Sequence, residues 1–112
     1  MPRAGAALSG RVAVISGASR GIGEAIARAL AASGCNVALA ARNQKDLRRV
    51  AVACTKSGAK TLAHSCDVTD EKSVATFFAA VKRTFHRVDV LINNAGMAHS
   101  MAAVDELSLD AW

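Results

Sequence analysis

The sequence predicts an α/β fold built on a doubly wound parallel sheet. Three observations carry that reading. Short runs that are apolar on both faces recur along the chain. A stretch with helical spacing of apolar residues follows each of the first three, and a glycine-rich turn joins the first run to the first helix. More than half of the residues are hydrophobic, supplied by Ala, Val and Leu more than by aromatics, which suits helices packed closely on a sheet. With 112 residues the chain is one ordinary domain with room for a real core.

The first strand is expected over residues 12–15, an uninterrupted apolar run followed at once by Ser16 and Gly17. A helix opens after the turn, with Ile22, Ala25, Ile26, Ala29 and Leu30 on its apolar face and Ser33-Gly34 at its end, where glycine suits a left-handed cap. Residues 37–41 form the second strand. Asn43 then caps a second helix that carries Leu47, Val50, Ala51 and Cys54 inward and closes at Gly58. A weaker third strand over 61–64 leads through Cys66, Asp67 and Val68 to a third helix. There Thr69 is the expected cap, Asp70 and Glu71 occupy the first turn, and Val74, Phe77, Phe78, Val81 and Phe85 make the core face. The fourth strand is expected over 88–92, followed by a loop with Gly96 and Met97 and by Ser108 as cap of a helix only begun at Trp112. Right-handed crossovers then give the strand order third, second, first, fourth.

Several classes of function are disfavoured by composition. Cys35, Cys54 and Cys66 are odd in number and widely spaced, without a Cys-x-x-Cys pair or clustered His. Neither a disulfide framework nor a metal site is indicated, and a reducing, cytoplasmic setting is expected. No apolar stretch approaches the roughly 20 residues of a membrane span, and the leader to Gly10 has no long apolar run. The net charge of +5 comes from Lys and Arg scattered along the chain without interleaved aromatics, a pattern that fits a polyanionic small molecule better than nucleic acid. His64, His86 and His99 stand isolated and read as strand, helix-end and loop residues. Met97 and Met101 suit a substrate pocket and loop packing equally.

The chemistry is concentrated in the segment Ser16-Gly17-Ala18-Ser19-Arg20-Gly21-Ile22-Gly23. Gly17 permits a tight turn, Gly21 lets backbone N–H groups approach a pyrophosphate, and Gly23 lets the helix pack closely. A strand-to-helix turn with no ligand reads the same way in isolation, but Asp67-Val68 follows the third strand and Asn93-Asn94-Ala95-Gly96 the fourth, at the carboxyl ends where a dinucleotide lies. Taken singly, Asp67 also suits a helix start, Val68 the core, and Asn93-Asn94 an ordinary turn.

Together these three segments resemble the short-chain dehydrogenase/reductase family, whose first segment usually begins with Thr where this chain has Ser16. The resemblance covers the chain from about Gly10 onward, but only about the first half of a family member. It implies a Rossmann-type fold truncated after the fourth strand, with residues 1–112 as a partial dinucleotide-binding domain. It further implies that Gly17, Ser19, Gly21, Ile22 and Gly23 line the phosphates, that Asp67 and Val68 contact the adenine, and that Asn93, Ala95 and Gly96 border the ribose and nicotinamide, with Asn94 bracing the sheet. At the end of the second strand, where enzymes that hold a free ribose 2′-OH offer a carboxylate, this chain has Ala41-Arg42. Arg20 and Arg42 are therefore expected to clasp the 2′-phosphate of NADP in preference to NAD, each contact contributing on the order of 1.5–3 kcal/mol.

Family chemistry also depends on a Tyr that exchanges a proton with the substrate and a Lys four residues later. This chain has no tyrosine and no lysine after Lys82, so it is expected to be inactive by itself. The leading expectation is the NADP-binding portion of an oxidoreductase that acts, in a longer protein, on a carbonyl or alcohol. The alternative is a non-catalytic short form that binds NADP(H) or pairs with a full-length partner. Sugar-nucleotide enzymes more often show Gly-x-x-Gly-x-x-Gly, which is absent. The fourth strand, apolar on both faces, is expected to self-associate through its open edge.

Overall fold

In the computed structural model, residues 8–94 are described. They form a four-stranded, wholly parallel sheet with interleaved helices, in the order β1 (Val12–Ser16), α1 (Gly21–Ala32), β2 (Asn36–Ala41), α2 (Gln44–Lys56), β3 (Thr61–Ser65), α3 (Glu71–Phe85) and β4 (Val90–Ile92). The strands lie in the order β3-β2-β1-β4, as the alternation predicts. β1 pairs with β2 from Val12 against Asn36 to Ser16 against Ala40, and with β4 from Ala13 against Val90.

Both faces of the sheet are covered, which explains why its central strands are apolar from Val12 to Ile15 and from Val37 to Ala41. Alternate residues point to opposite sides. Ala13, Ile15, Val37 and Leu39 meet Ala27 and Ala31 of α1 and Leu47, Val50 and Cys54 of α2, whereas Val12, Val14, Ala38 and Ala40 meet Val74, Phe77, Val81 and Phe85 of α3. Two helices on one face and one on the other make the doubly wound, Rossmann-like arrangement. Among the described residues no helix is long and apolar enough to cross a membrane.

The ends of the elements follow their sequences closely, with informative differences. Asn43 caps α2 by accepting the Asp46 N–H at 3.0 Å, and Gly34 and Gly58 take the left-handed conformation after α1 and α2. His86 ends α3 at φ 64°, its N–H donating to the Lys82 carbonyl at 2.9 Å. The cap of α3 is Asp70, which accepts the Lys72 N–H at 3.0 Å, and not Thr69, whose hydroxyl donates to Asp67 at 2.7 Å. β4 begins at Val90, not at residue 88. The Asp89 backbone N–H donates to the Val12 carbonyl at 2.9 Å, but the Val12 N–H donates to the Asp89 carboxylate at 2.8 Å, so a side chain supplies the acceptor there.

The apolar face of α1 is also rotated from its expected position. Gly23, Ala27 and Ala31 are buried, Ile26 and Leu30 half-buried, and Ile22, Ala25 and Ala29 exposed. The cause is close approach. An added Cβ on Gly23 would lie 2.1 Å from the Gly17 oxygen, so the helix turns its smallest side chains inward and carries its larger ones to the flanks.

Candidate functional site

The carboxyl ends of β1, β2 and β3 open onto a cleft of about 440 Å³ lined by Gly17, Ser19, Arg20, Ala41, Arg42, Asn43, Cys66, Val68 and Thr69. Topology puts it there: β1 is central, and the turns that follow β1, β2 and β3 converge at one edge of the parallel sheet. Five of the nine lining residues come from the two turns after β1 and β2, which carry Gly17, Arg20 and Arg42.

The glycine turn is shaped by backbone requirements. Gly17 and Gly21 both sit at φ 62°, where a side chain would be strained. Arg20 occupies the N-cap of α1 in extended conformation, with no side-chain hydrogen bond to the helix. The first-turn N–H groups of α1 are left without an intrahelical acceptor, and their partial positive charge is directed at the mouth of the turn, the arrangement that holds anions. Buried Ser19 and exposed Arg20 both line the cleft beside it.

Three tethers hold this turn, from β2, from α2 and from the segment after β4. The Ala18 N–H donates to the Ala40 carbonyl on β2 at 3.2 Å. The Asn94 amide donates to the Gly17 carbonyl at 3.3 Å, while the Asn94 backbone N–H donates to the buried Ser16 hydroxyl at 2.8 Å. Arg49 of α2 donates to the Ser19 carbonyl at 3.0 Å and grips Glu24 of α1 with both terminal nitrogens, at 3.0 and 3.1 Å. Arg28 joins the same carboxylate at 2.9 Å. The hydrogen bond from Arg49 is the main influence holding the Glu24 carboxyl below its ordinary range.

The expected ligand residues are brought together unequally. Gly17, Ser19, Arg20, Arg42 and Val68 line one cleft, and Gly21, Ile22 and Gly23 form the first turn of α1 at its edge, with Ile22 71% exposed. Asp67 stands beside them but is already engaged. Its carboxylate accepts from the Thr69 N–H at 2.9 Å, the Thr69 hydroxyl at 2.7 Å and Arg42 at 3.1 Å. These contacts, Thr69 first, hold the Asp67 carboxyl below its usual value. Arg42 is thus paired across the cleft mouth with a residue expected to act on a different part of the ligand. Asn93 accepts the Ser16 hydroxyl at 3.1 Å through its side-chain oxygen. Ala95 and Gly96, and with them Met97, His99 and Met101, lie outside the described residues.

Arg49 and Glu24 were not legible as site residues. They are 25 positions apart, on two helices, and neither lines the cleft. Cys66 does line it, yet it is 2% exposed and burial pushes its thiol pKa up, so it contributes packing and not a nucleophile.

Comparison with known proteins follows the same outline. The family model described as short chain dehydrogenase matches residues 11–112. The chain is 40% identical over 92 residues to a dehydrogenase/reductase SDR family member 11 from Gallus gallus, covering 80% of this chain and 36% of that protein. Among solved structures, a metagenomic short-chain oxidoreductase in complex with NADP superimposes with a TM-score of 0.76 at 46% identity, covering 80% of this chain and 41% of that one. A short chain dehydrogenase/reductase from Burkholderia phymatum in complex with NAD superimposes with a TM-score of 0.72 at 31% identity, covering 75% of this chain and 30% of that one. The chain therefore spans well under half the length of the relatives it matches.

Proposed function

The chain belongs to the short chain dehydrogenase family, and from that premise we propose that residues 1–112 are the NADP-binding portion of an oxidoreductase acting on a carbonyl or alcohol. The observation that carries the proposal is the uncapped N-terminus of α1, preceded by two left-handed glycines, at the edge of a cleft that Arg20 and Arg42 line. The close packing of Gly23 against Gly17 fits the same ligand, because a turn this tight leaves backbone N–H groups free to approach a pyrophosphate.

When bound, the nicotinamide ring supplies or accepts a hydride. The residues of this chain bind and orient. The backbone from Gly17 to Gly23 with the Ser19 hydroxyl holds the phosphates, and Ile22 covers them on the open side. Val68 and Asp67 receive the adenine, and Asn93, Ala95 and Gly96 border the ribose and nicotinamide. Arg20 and Arg42 take the 2′-phosphate, the fork of Arg42 leaving Asp67 or sharing it. The absence of a carboxylate after β2 supports NADP over NAD.

By itself the 112-residue chain binds without turnover, because no tyrosine is present to exchange the substrate proton. A cytoplasmic, reducing setting suits Cys35, Cys54 and Cys66, all three of them buried. Titration with NADPH and NADH, followed by ligand fluorescence, tests the reading. Saturable binding that favours NADPH is expected. Arg42→Asp should move the preference to NADH by about tenfold or more, the equivalent of one charge-assisted contact. Unchanged or tighter NADPH binding by that variant would refute the assignment of the 2′-phosphate to Arg42.

A further inference from the structure

We infer that Arg49, a residue of α2 outside the cleft, is a positioning residue that presets the glycine turn for a pyrophosphate. The inference rests on the dinucleotide-binding reading and adds to it a residue that touches no part of the ligand.

One peptide plane links Arg49 to the turn. A trans peptide directs its C=O and N–H to opposite sides, so whatever fixes the Ser19 carbonyl also fixes the N–H of Arg20. That carbonyl accepts from Arg49 at 3.0 Å. Arg49 does not line the cleft, whereas Ser19 and Arg20 do. The Ser19 oxygen, which would repel an anion, is therefore drawn toward α2, and the opposing N–H is turned the other way.

Arg49 also balances charge at the same end of α1. Glu24 lies in the first turn of α1, close to the end that is to receive phosphates. An unpaired carboxylate there would oppose the field of the helix N-terminus. Arg49 meets it through both terminal nitrogens, with Arg28 as a third contact, and the Glu24 side chain is only 18% exposed. One guanidinium thus neutralises the acidic residue in the first turn of α1 and orients the peptide that precedes the helix. Only a planar fork does both at once, since a lysine ammonium has no second, rigidly spaced arm.

The test compares the wild-type chain with Arg49→Met and Arg49→Lys, each titrated with NADPH and with adenosine 2′-monophosphate, which carries the adenosine and the 2′-phosphate but no pyrophosphate. Arg49→Met should weaken NADPH by about tenfold, the equivalent of one charge-assisted hydrogen bond, and leave adenosine 2′-monophosphate little changed. Arg49→Lys should fall between. Equal losses for both ligands would make Arg49 a general structural prop, and no loss would make it irrelevant; either result overturns the inference. If Arg49→Met gives no cooperative melt, the same comparison with Arg49→Lys decides. If the wild type binds neither ligand, the dinucleotide reading fails, and amide hydrogen exchange judges Arg49 separately. Faster exchange at residues 19–21 of Arg49→Met or Arg49→Lys, with β1 and β2 unchanged, is then required, and unchanged exchange there overturns the inference.

Discussion

Gly23 sits where α1 presses on the turn that precedes it. A methyl group there would lie 2.1 Å from the Gly17 oxygen and 2.7 Å from the Asn94 amide nitrogen, and the first of these neighbours is backbone that has no room to withdraw. Gly23→Ala should therefore destabilise the protein by about 3 kcal/mol, the upper end of the usual cost of overpacking, and abolish dinucleotide binding. A urea titration monitored by circular dichroism checks it, and a loss below about 1 kcal/mol would mean the turn is far more pliable than its three tethers imply. This constraint was legible in the sequence because only glycine leaves room for it, while Gly17 and Gly21 meet a different one, a left-handed φ of 62° that glycine adopts most readily. The partners of charged residues were not legible. Arg42 could be read as a cation beside an anion site, but that it faces Asp67 depends on β2 and β3 lying side by side. Nothing in the sequence of α2 sets Arg49 apart from its neighbour Arg48 or reveals that Ser19 lies within its reach.

At the level of elements, period and punctuation predicted all seven elements, while the rotation of α1 and the start of β4 depended on neighbours. Most positions of α1 are apolar, so hydrophobicity alone does not choose its buried face; the Gly23 contact does. The face of α2 was legible for the opposite reason, because charged residues surround Leu47 and precede Val50, and Cys54 follows at helical spacing. β4 is short because Asp89 spends its carboxylate on the Val12 N–H. Among the described residues β4 pairs with β1 alone, and its Leu91 and Ile92 are buried under α3 and against the opposite face of the core, with no charge along the strand. Such an edge invites pairing with another copy. The 112-residue chain is expected to self-associate with rising concentration in sedimentation velocity, and Val90→Lys, a charge on the half-buried first residue of β4, should reduce that association. A wild-type chain that stays monomeric and melts cooperatively at all concentrations would contradict the expectation.

Across the whole molecule, carboxylates tie together segments that are distant in sequence. Glu24 joins α1 to α2 through Arg49, Asp67 joins the end of β3 to the end of β2 through Arg42, and Asp89 joins the start of β4 to Val12 on β1 while Arg87 donates to both of its oxygens. All three have their pKa lowered in the folded chain, by Arg49, by Thr69 and by Arg87 in the first place. A carboxyl group with a depressed folded pKa binds protons more readily when unfolded. Its stabilising contribution is complete above the unfolded value of about 4, and it is lost as the pH falls through and below that value toward the folded one. The charge balance acts in the same direction, since 14 Lys and Arg face only 9 Asp and Glu, and each protonation adds to the excess of positive charge. Denaturant midpoints should therefore be flat from neutral pH down to about 5 and fall steeply below about 4. Asp89→Asn should lower the neutral plateau and make the acid decline shallower, because it removes the charge that pairs with Arg87 and Arg11 while keeping an oxygen that can accept from the Val12 N–H. Midpoints that hold steady to pH 2, or an Asp89→Asn variant with the wild-type slope, would place the stability of this fold in its two apolar layers alone.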